Sequence, residues 1–358
     1  MLGLYIHIPF CNNICSYCDF PKSIATLKKK TLYVDKLIKD IETIDDKIDT
    51  IYLGGGTPNS LNNNDLERIF MALKKFNPIE FTIELNPELL TKNQVQLFKQ
   101  YGINRVSLGC QSFNEKIINT ILRKHTKEDI IKAVEMLKEE NITNINIDMM
   151  YAIPGQTIND ILEDIDFYLK LDVPHISYYS LILEEKTILY HQYKNKKIEL
   201  IDEDLESEMY MLIMTKLKES GYTHYEISNF AKKGFESIHN QIYWHNEKYY
   251  GLGLGASGYI GNTRYTNSMK FNEYLLSKYE TELISLDEAL KEEMMLGLRL
   301  IDGISIKDVE EKYQISLFKR FKEINQLITK GLLEISSGRL KLTEKGIFLG
   351  NEVFEIFV

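Results

Sequence analysis

LYIHIPFCNNICSYCDF, residues 4–20, runs a short strand-like segment straight into a loop that holds three of the chain's four cysteines. Cys11, Cys15 and Cys18 are spaced C-x3-C-x2-C. The next place in that rhythm, two residues on, holds Phe20. Three ligands from one tight loop can face a single cofactor, because the backbone folds around it. Clustered cysteines in a reducing compartment point to metal or redox chemistry rather than to a disulfide framework.

Working outward, short apolar strands alternate with amphipathic helices over the first two-thirds of the chain. Strand segments begin at 50, 80, 105, 144 and 175, and helices are expected at 31–44, 65–76, 93–102, 128–140 and 160–171. Repeated strand–helix units imply a parallel sheet with right-handed crossovers. About six units are present, fewer than the eight of a closed barrel. The expected fold class is therefore α/β, an open or partial (β/α)6 barrel with its functional residues at the C-terminal strand ends.

Residues 1–235 are expected to form this core, including a helical connector from about 184. The segment from 236 is aromatic and glycine-rich, HNQIYWHNEKYYGLGLGASGYIGN, and opens a smaller C-terminal α+β domain, 236–358. Within it, 285–345 has the helices and the hairpin of a winged-helix-like module. Eleven basic and thirteen acidic residues between 284 and 358, with no basic stripe, speak against DNA. Gly253-Leu-Gly255-Ala-Ser-Gly258 formally fits G-x-G-x-x-G but follows no clear strand, and close backbone packing explains it better.

The chain has 358 residues, 44% hydrophobic and 27% charged, with a net charge of −9. These values fit a packed globular protein and argue against nucleic acid or an anionic membrane as a broad partner. No apolar run approaches the ~18 residues of a membrane span. The start carries no signal-peptide pattern, so a cytoplasmic location is expected.

Three readings compete for the cysteine loop. A disulfide conflicts with the compartment. Structural zinc wants four closed ligands, whereas Cys110 is distant and His7 lies on the strand before the loop. A 4Fe-4S cluster on three thiolates leaves one iron open. An open iron can chelate the amino and carboxylate groups of a small ligand, which S-adenosylmethionine (SAM) offers. Gly54-Gly55-Gly56-Thr57-Pro58 could bring backbone amides close to such a ligand. Glu84, Gln111 and Asp148 stand at further strand ends, and Arg123 could pair with a carboxylate. Each of these alone also reads as a turn, a surface group or a cap. Cys110 reads as a small buried core residue.

In this order the segments YIHIPFC, GGGTP, E-x-NP, G-x-QS and D-x-M-x-x-x-PGQ resemble the coproporphyrinogen-dehydrogenase-like branch of the radical SAM superfamily. The likeness is close over residues 4–180 and looser beyond. It implies a 4Fe-4S cluster on Cys11, Cys15 and Cys18, with SAM on the open iron. It also implies SAM contacts by Tyr5, Gly55, Gly56, Thr57, Glu84, Gln111, Arg123 and Asp148.

The branch contains an enzyme, which oxidatively decarboxylates coproporphyrinogen III, and a carrier, the HemW-type haem chaperones. The enzymes carry another cysteine where Phe20 stands here, and an extension before the YIHIPFC strand. His239-Asn240-Gln241-Ile242-Tyr243-Trp244 is similar to the HN-x-x-YW motif of the chaperones. A histidine nitrogen is a common axial ligand of haem iron, and Tyr243 and Trp244 could lie flat on a porphyrin. An aromatic core cluster with a satisfied histidine is the competing reading, and His245 is an adjacent alternative ligand. The resemblance thus implies a haem chaperone without coproporphyrinogen dehydrogenase activity. Haem and an acceptor haemoprotein would be its partners. A membrane-bound respiratory enzyme is one candidate acceptor, and a homodimer is a family-level expectation.

Overall fold

The computed structural model describes all of residues 1–358 and bears out a partial barrel with a smaller body beyond it. The barrel elements are β1 (Leu2–Ile8), α1 (Leu27–Glu42), β2 (Thr50–Gly55), α2 (Asn63–Leu73), β3 (Glu80–Leu85), α3 (Lys92–Gln100), β4 (Arg105–Gln111), α4 (Glu115–Thr120), α5 (Lys127–Glu139), β5 (Asn144–Tyr151), α6 (Ile158–Lys170) and β6 (His175–Ser180). The strands pair in parallel in chain order, β1 to β6. Three of the barrel helices, α3, α5 and α6, start on a threonine capping box, Thr91/Gln94, Thr126/Asp129 and Thr157/Asp160. Each box satisfies orphan N–H groups and so sets where the chain turns from loop to helix.

The two faces of the strands differ sharply. Outward residues such as Leu4, Ile6, Ile51, Leu53, Ile83, Val106, Leu108, Ile145, Ile147 and Ile176 are buried against the helices and carry the main core. Inward residues are largely polar: Tyr5 and His7, Thr50 and Tyr52, Glu80, Thr82 and Glu84, Arg105 and Ser107, Asn146 and Asp148, His175 and Ser177. An apolar outside and a polar lumen follow from the two-residue period of a strand. The lumen groups pair with one another, as where Asn146 bonds Ser107, Asp148 and Ser177.

The connector from 184 holds α7 (Ile188–Lys194) and α8 (Glu203–Glu219), and then a short hairpin, β7 (Thr223–Glu226) and β8 (Asn229–Ala231). The hairpin extends the sheet antiparallel beyond β6. Next come α9 (Ile238–Trp244), β9 (Lys248–Leu252), β10 (Ser257–Ile260), β11 (Thr263–Asn267), α10 (Phe271–Leu275) and β12 (Tyr279–Leu283). Strand β9 pairs in parallel with β1, so the aromatic segment continues the main sheet, twelve strands in all. The glycine run 253–258 is the turn from β9 to β10. It packs on the His7 carbonyl and the Tyr33 hydroxyl, a close contact with no dinucleotide character.

Beyond 284 lie α11 (Leu286–Gly297), β13 (Ile304–Ser305), α12 (Ile306–Tyr313), α13 (Leu317–Arg320), α14 (Glu323–Thr329), β14 (Leu333–Ser336) and β15 (Arg339–Leu342), then α15 (Glu344–Phe348) and α16 (Gly350–Phe354). They enclose a separate core that includes Leu290, Met294, Leu317, Ile324, Leu340 and Phe357. The three-stranded sheet β13-β15-β14 contains the expected hairpin. No helix is long and apolar enough to cross a membrane.

Candidate functional site

A cavity of about 460 Å³ opens at the C-terminal ends of the barrel strands. Its wall carries Cys11, Cys15 and Cys18 from the loop after β1, Gly55 at the end of β2 with Gly56 and Thr57 following it, and Glu84 from β3. Gln111, Arg123 and Asp148 complete it. All of the residues expected to hold the cluster and SAM are therefore gathered in one place, with one exception. Tyr5 lies a layer deeper in the lumen, where its hydroxyl meets His7 Nδ1 at 2.9 Å. The strand period explains this: Tyr5 precedes His7 by two residues, and His7 already sits under the cavity floor.

The cysteine loop is tied down by its backbone. Cys11 N–H donates to the Ser23 carbonyl, Ser16 N–H to the Ile121 carbonyl, and Leu189 N–H to the Ser16 carbonyl. Burial raises the Cys11 and Cys18 thiols, and the Lys22 ammonium offsets only part of that rise. Positive charge stands close by. The Arg123 guanidinium lies 3.8 Å from Cys15 Sγ, and Lys22 caps the Cys18 carbonyl. No three side chains converge as ligands of a single ion. Three thiols on one cavity wall are a donor set that fits a 4Fe-4S cluster with one iron left open.

Two features mark the wall as built for a ligand. Gln111 adopts φ +68° at a bulge between β4 and β5, a conformation costly for a residue with a side chain. Its Oε1 is buried without a partner, as is Arg123 Nε. Buried polar groups of this kind are normally satisfied, and a polar ligand in the cavity would do so. At the last residue of β2, Gly55 has φ +109°, and a Cβ there would stand 2.4 Å from His7 Nδ1.

Four carboxyl side chains line the cavity, Asp19, Glu84, Asp148 and Glu184, and the pair on the barrel strands is Glu84 and Asp148. Burial raises both, and lifts Glu84 to about 7 even though Tyr52 and the Gly55 N–H hydrogen-bond to it. Asp148 accepts from Ser107 at 2.7 Å and from Asn146 at 2.8 Å. The raised Glu84 has a consequence for stability. Its folded value lies above its ordinary 4.5, so the folded state holds the proton more tightly. Stability is then lost as pH rises from about 4.5 to about 7. Glu84→Gln is expected to raise the melting temperature of the ligand-free protein at pH 8 and leave it nearly unchanged at pH 4.5. Thermal melts at the two pH values check this.

The residues expected at haem lie elsewhere. His239 is fully buried beneath the barrel, against Thr50 and Gly3 at the N-terminal ends of β2 and β1. That end is one strand length, about 16 Å, from the cysteine end. Its Nδ1 meets Thr50 Oγ1 at 2.8 Å and its Nε2 meets the Tyr243 hydroxyl at 2.9 Å. Both ring nitrogens are occupied, so His239 offers none to an iron in this conformation. Tyr243 is packed edge-on against Tyr249, and the Trp244 ring lies under the Arg299 guanidinium at 4.7 Å. Both rings are half-buried and engaged by neighbours within the protein. Of the seven histidines only His191 and His245 are exposed. His245 Nδ1 is fixed on the Gln241 carbonyl at 2.8 Å.

Phe20 projects at the cavity mouth, 60% exposed. His125, in the loop after α4, is buried with no well-formed hydrogen bond on either nitrogen, only loose approaches to the Ser112 and Cys110 backbone, and burial and then the Arg123 charge drive it down to about 3. The sequence holds no signal that separates it from the other histidines.

Comparison with known proteins agrees with the partial-barrel fold. Residues 5–168 match the radical SAM superfamily and residues 284–349 the HemN C-terminal domain. The chain is 40% identical to a heme chaperone HemW of Lactococcus lactis, over 99% of this chain and 96% of that one. It is 38% identical to a heme chaperone HemW of Bacillus subtilis, over 100% and 99%. In fold it is similar to the coproporphyrinogen III oxidase HemN of Escherichia coli, with a TM-score of 0.87 at 21% identity, covering 99% of this chain and 89% of that one.

Proposed function

We propose that this chain, which belongs to the heme chaperone HemW family of the radical SAM superfamily, binds haem and hands it to acceptor haemoproteins in the cytoplasm. The observation that carries the reading is the end-to-end likeness to the Lactococcus lactis relative. Phe20 supports it, since an exposed phenyl ring stands at the cavity mouth where the enzymes of the resemblance carry a further cysteine. Shared architecture with the Escherichia coli oxidase does not decide between carrier and enzyme, because one fold hosts both.

In this reading Cys11, Cys15 and Cys18 hold a 4Fe-4S cluster, and Gly55, Gly56, Thr57, Glu84, Gln111, Arg123 and Asp148 surround SAM. Bound there, the pair would supply one-electron chemistry. Arg123 suits the SAM carboxylate and Glu84 its amino or ribose groups. The same reading includes a homodimer and an acceptor haemoprotein.

The iron ligand falls to His245 rather than His239. His245 ends α9 beside Trp244, and the Gln241 carbonyl holds its Nδ1, which leaves Nε2 directed outward as an imidazole ligand requires. Haem titration tests the assignment. His245→Ala is expected to weaken haem at least tenfold, with His191→Ala and His239→Ala close to wild type. Loss of haem in His239→Ala alone would return the role to His239 and require α9 to open. Anaerobic incubation with coproporphyrinogen III, SAM and a reductant tests the function itself. Protoporphyrinogen formation would replace the chaperone reading with the oxidase.

A further inference from the structure

We infer that His239 is a positioning residue for the cavity carboxylate of Glu84, acting through Tyr52. The inference rests on the proposal that SAM occupies the cavity, and it assigns the motif histidine to that site instead of to haem.

The inner face of β2 reads Thr50, Tyr52, Gly54, and each of the three has one task in a single column. Thr50 holds the imidazole by its Nδ1. Tyr52 lies over that imidazole, ring centroids 5.2 Å apart and planes inclined by 30°. The Tyr52 hydroxyl then donates to Glu84 Oε1 at 2.6 Å. Gly54 leaves room for this contact, since a Cβ there would stand 2.7 Å from Glu84 Oε2 and 2.9 Å from the Tyr52 ring. The second Glu84 oxygen accepts from the Gly55 N–H at 3.0 Å.

The imidazole itself cannot turn. Tyr243 fixes Nε2, and the His239 and Ile238 N–H groups both donate to the Glu80 carboxylate at 2.9 Å. Gly3 admits the ring, since a Cβ there would lie 3.3 Å from its Cε1. Burial keeps the imidazole neutral, so one nitrogen donates and the other accepts, which suits two hydroxyl partners. A rigid ring under Tyr52 holds the phenol upright toward Glu84. Remove it and a void opens below Tyr52, so the hydroxyl is free to leave the carboxylate. Glu84 would then lose the hydrogen bond that most favours its charged form.

The test is a double-mutant cycle read by SAM titration of the anaerobic, cluster-loaded full chain, using wild type, His239→Gln, Tyr52→Phe and the double variant. Each single variant is expected to weaken SAM about tenfold, the scale of one hydrogen bond to a charged group. The double variant is expected to be no weaker than Tyr52→Phe alone, because the histidine acts only through the phenol. Additive losses, about a hundredfold together, would reduce His239 to general packing and overturn the inference. So would SAM affinity unchanged in His239→Gln. If His239→Gln does not fold, Thr50→Val frees the ring at Nδ1 and is expected to weaken SAM several-fold. Unchanged affinity there overturns the inference equally. Wild type that fails to bind SAM overturns both this inference and the SAM proposal. Wild type that binds alongside equal variants overturns this one alone.

Discussion

Cys15→Ala is expected to strip the protein of its cluster, with iron after anaerobic reconstitution falling to roughly a tenth of wild type and SAM binding lost with it. The three thiols come from one loop, and nothing nearby can replace one. Cys110 is the only other cysteine. It sits on the outward face of β4 inside the apolar core, where its thiol is within 3.5 Å of the Ser112 carbonyl. The loop's shape does not depend on the Cys15 side chain, because backbone bonds from Cys11, Ser16 and Leu189 hold it. The variant should therefore fold, with a far-ultraviolet spectrum like that of wild type. Iron content and visible absorption then read the cluster alone. Iron at the wild-type level in Cys15→Ala would dismiss the cysteine loop as the cluster site.

That loop is readable from sequence because its information is local. Three cysteines within eight residues and a strand before them need no tertiary knowledge. The barrel strands are readable for a similar reason: each apolar run stops at a glycine or polar turn, and a threonine often starts the next helix. The strands that begin at 50, 80 and 105 stop at Gly55, Leu85 and Gln111, where the turns that carry the site residues take over. The β7–β8 hairpin stands where the sequence pattern suggests only a helical connector. Its strands have only four and three residues, too few to show a period.

Pairing of β9 with β1 joins segments some 245 positions apart, and no composition records which sheet an edge will join. The His239 motif shows the same limit. Residue types spell a haem ligand, while burial is decided by where α9 docks, and it docks under Thr50 and Gly3. The polar Thr50-x-Tyr52-x-Gly54 face of β2 is the available signal. Polar residues alternating with Ile51 and Leu53 mark a lumen in need of a polar partner.

Gly55→Ala is expected to destabilise the protein by about 3 kcal/mol and to abolish SAM binding, a large effect for a single added methyl group. Two independent costs meet at this position. At φ +109° a side chain is strained whatever the space around it, which accounts for about 1–3 kcal/mol. The added Cβ would also stand 2.4 Å from His7 Nδ1. His7 has no room to yield. Its Nδ1 is bonded to the Tyr5 hydroxyl and its Nε2 meets the Pro21 carbonyl at 2.8 Å, at the foot of the cysteine loop. Any displacement would travel into that loop and into Glu84, which accepts from the Gly55 N–H. Gly102→Ala separates the two costs. Gly102 has φ +78°, yet nothing lies within 4 Å of its Cβ position. It should lose only the backbone part, about 1 kcal/mol. Urea unfolding of both variants measures the difference. If Gly55→Ala proves no worse than Gly102→Ala, the packing of the glycine turn on His7 does not hold the cavity floor.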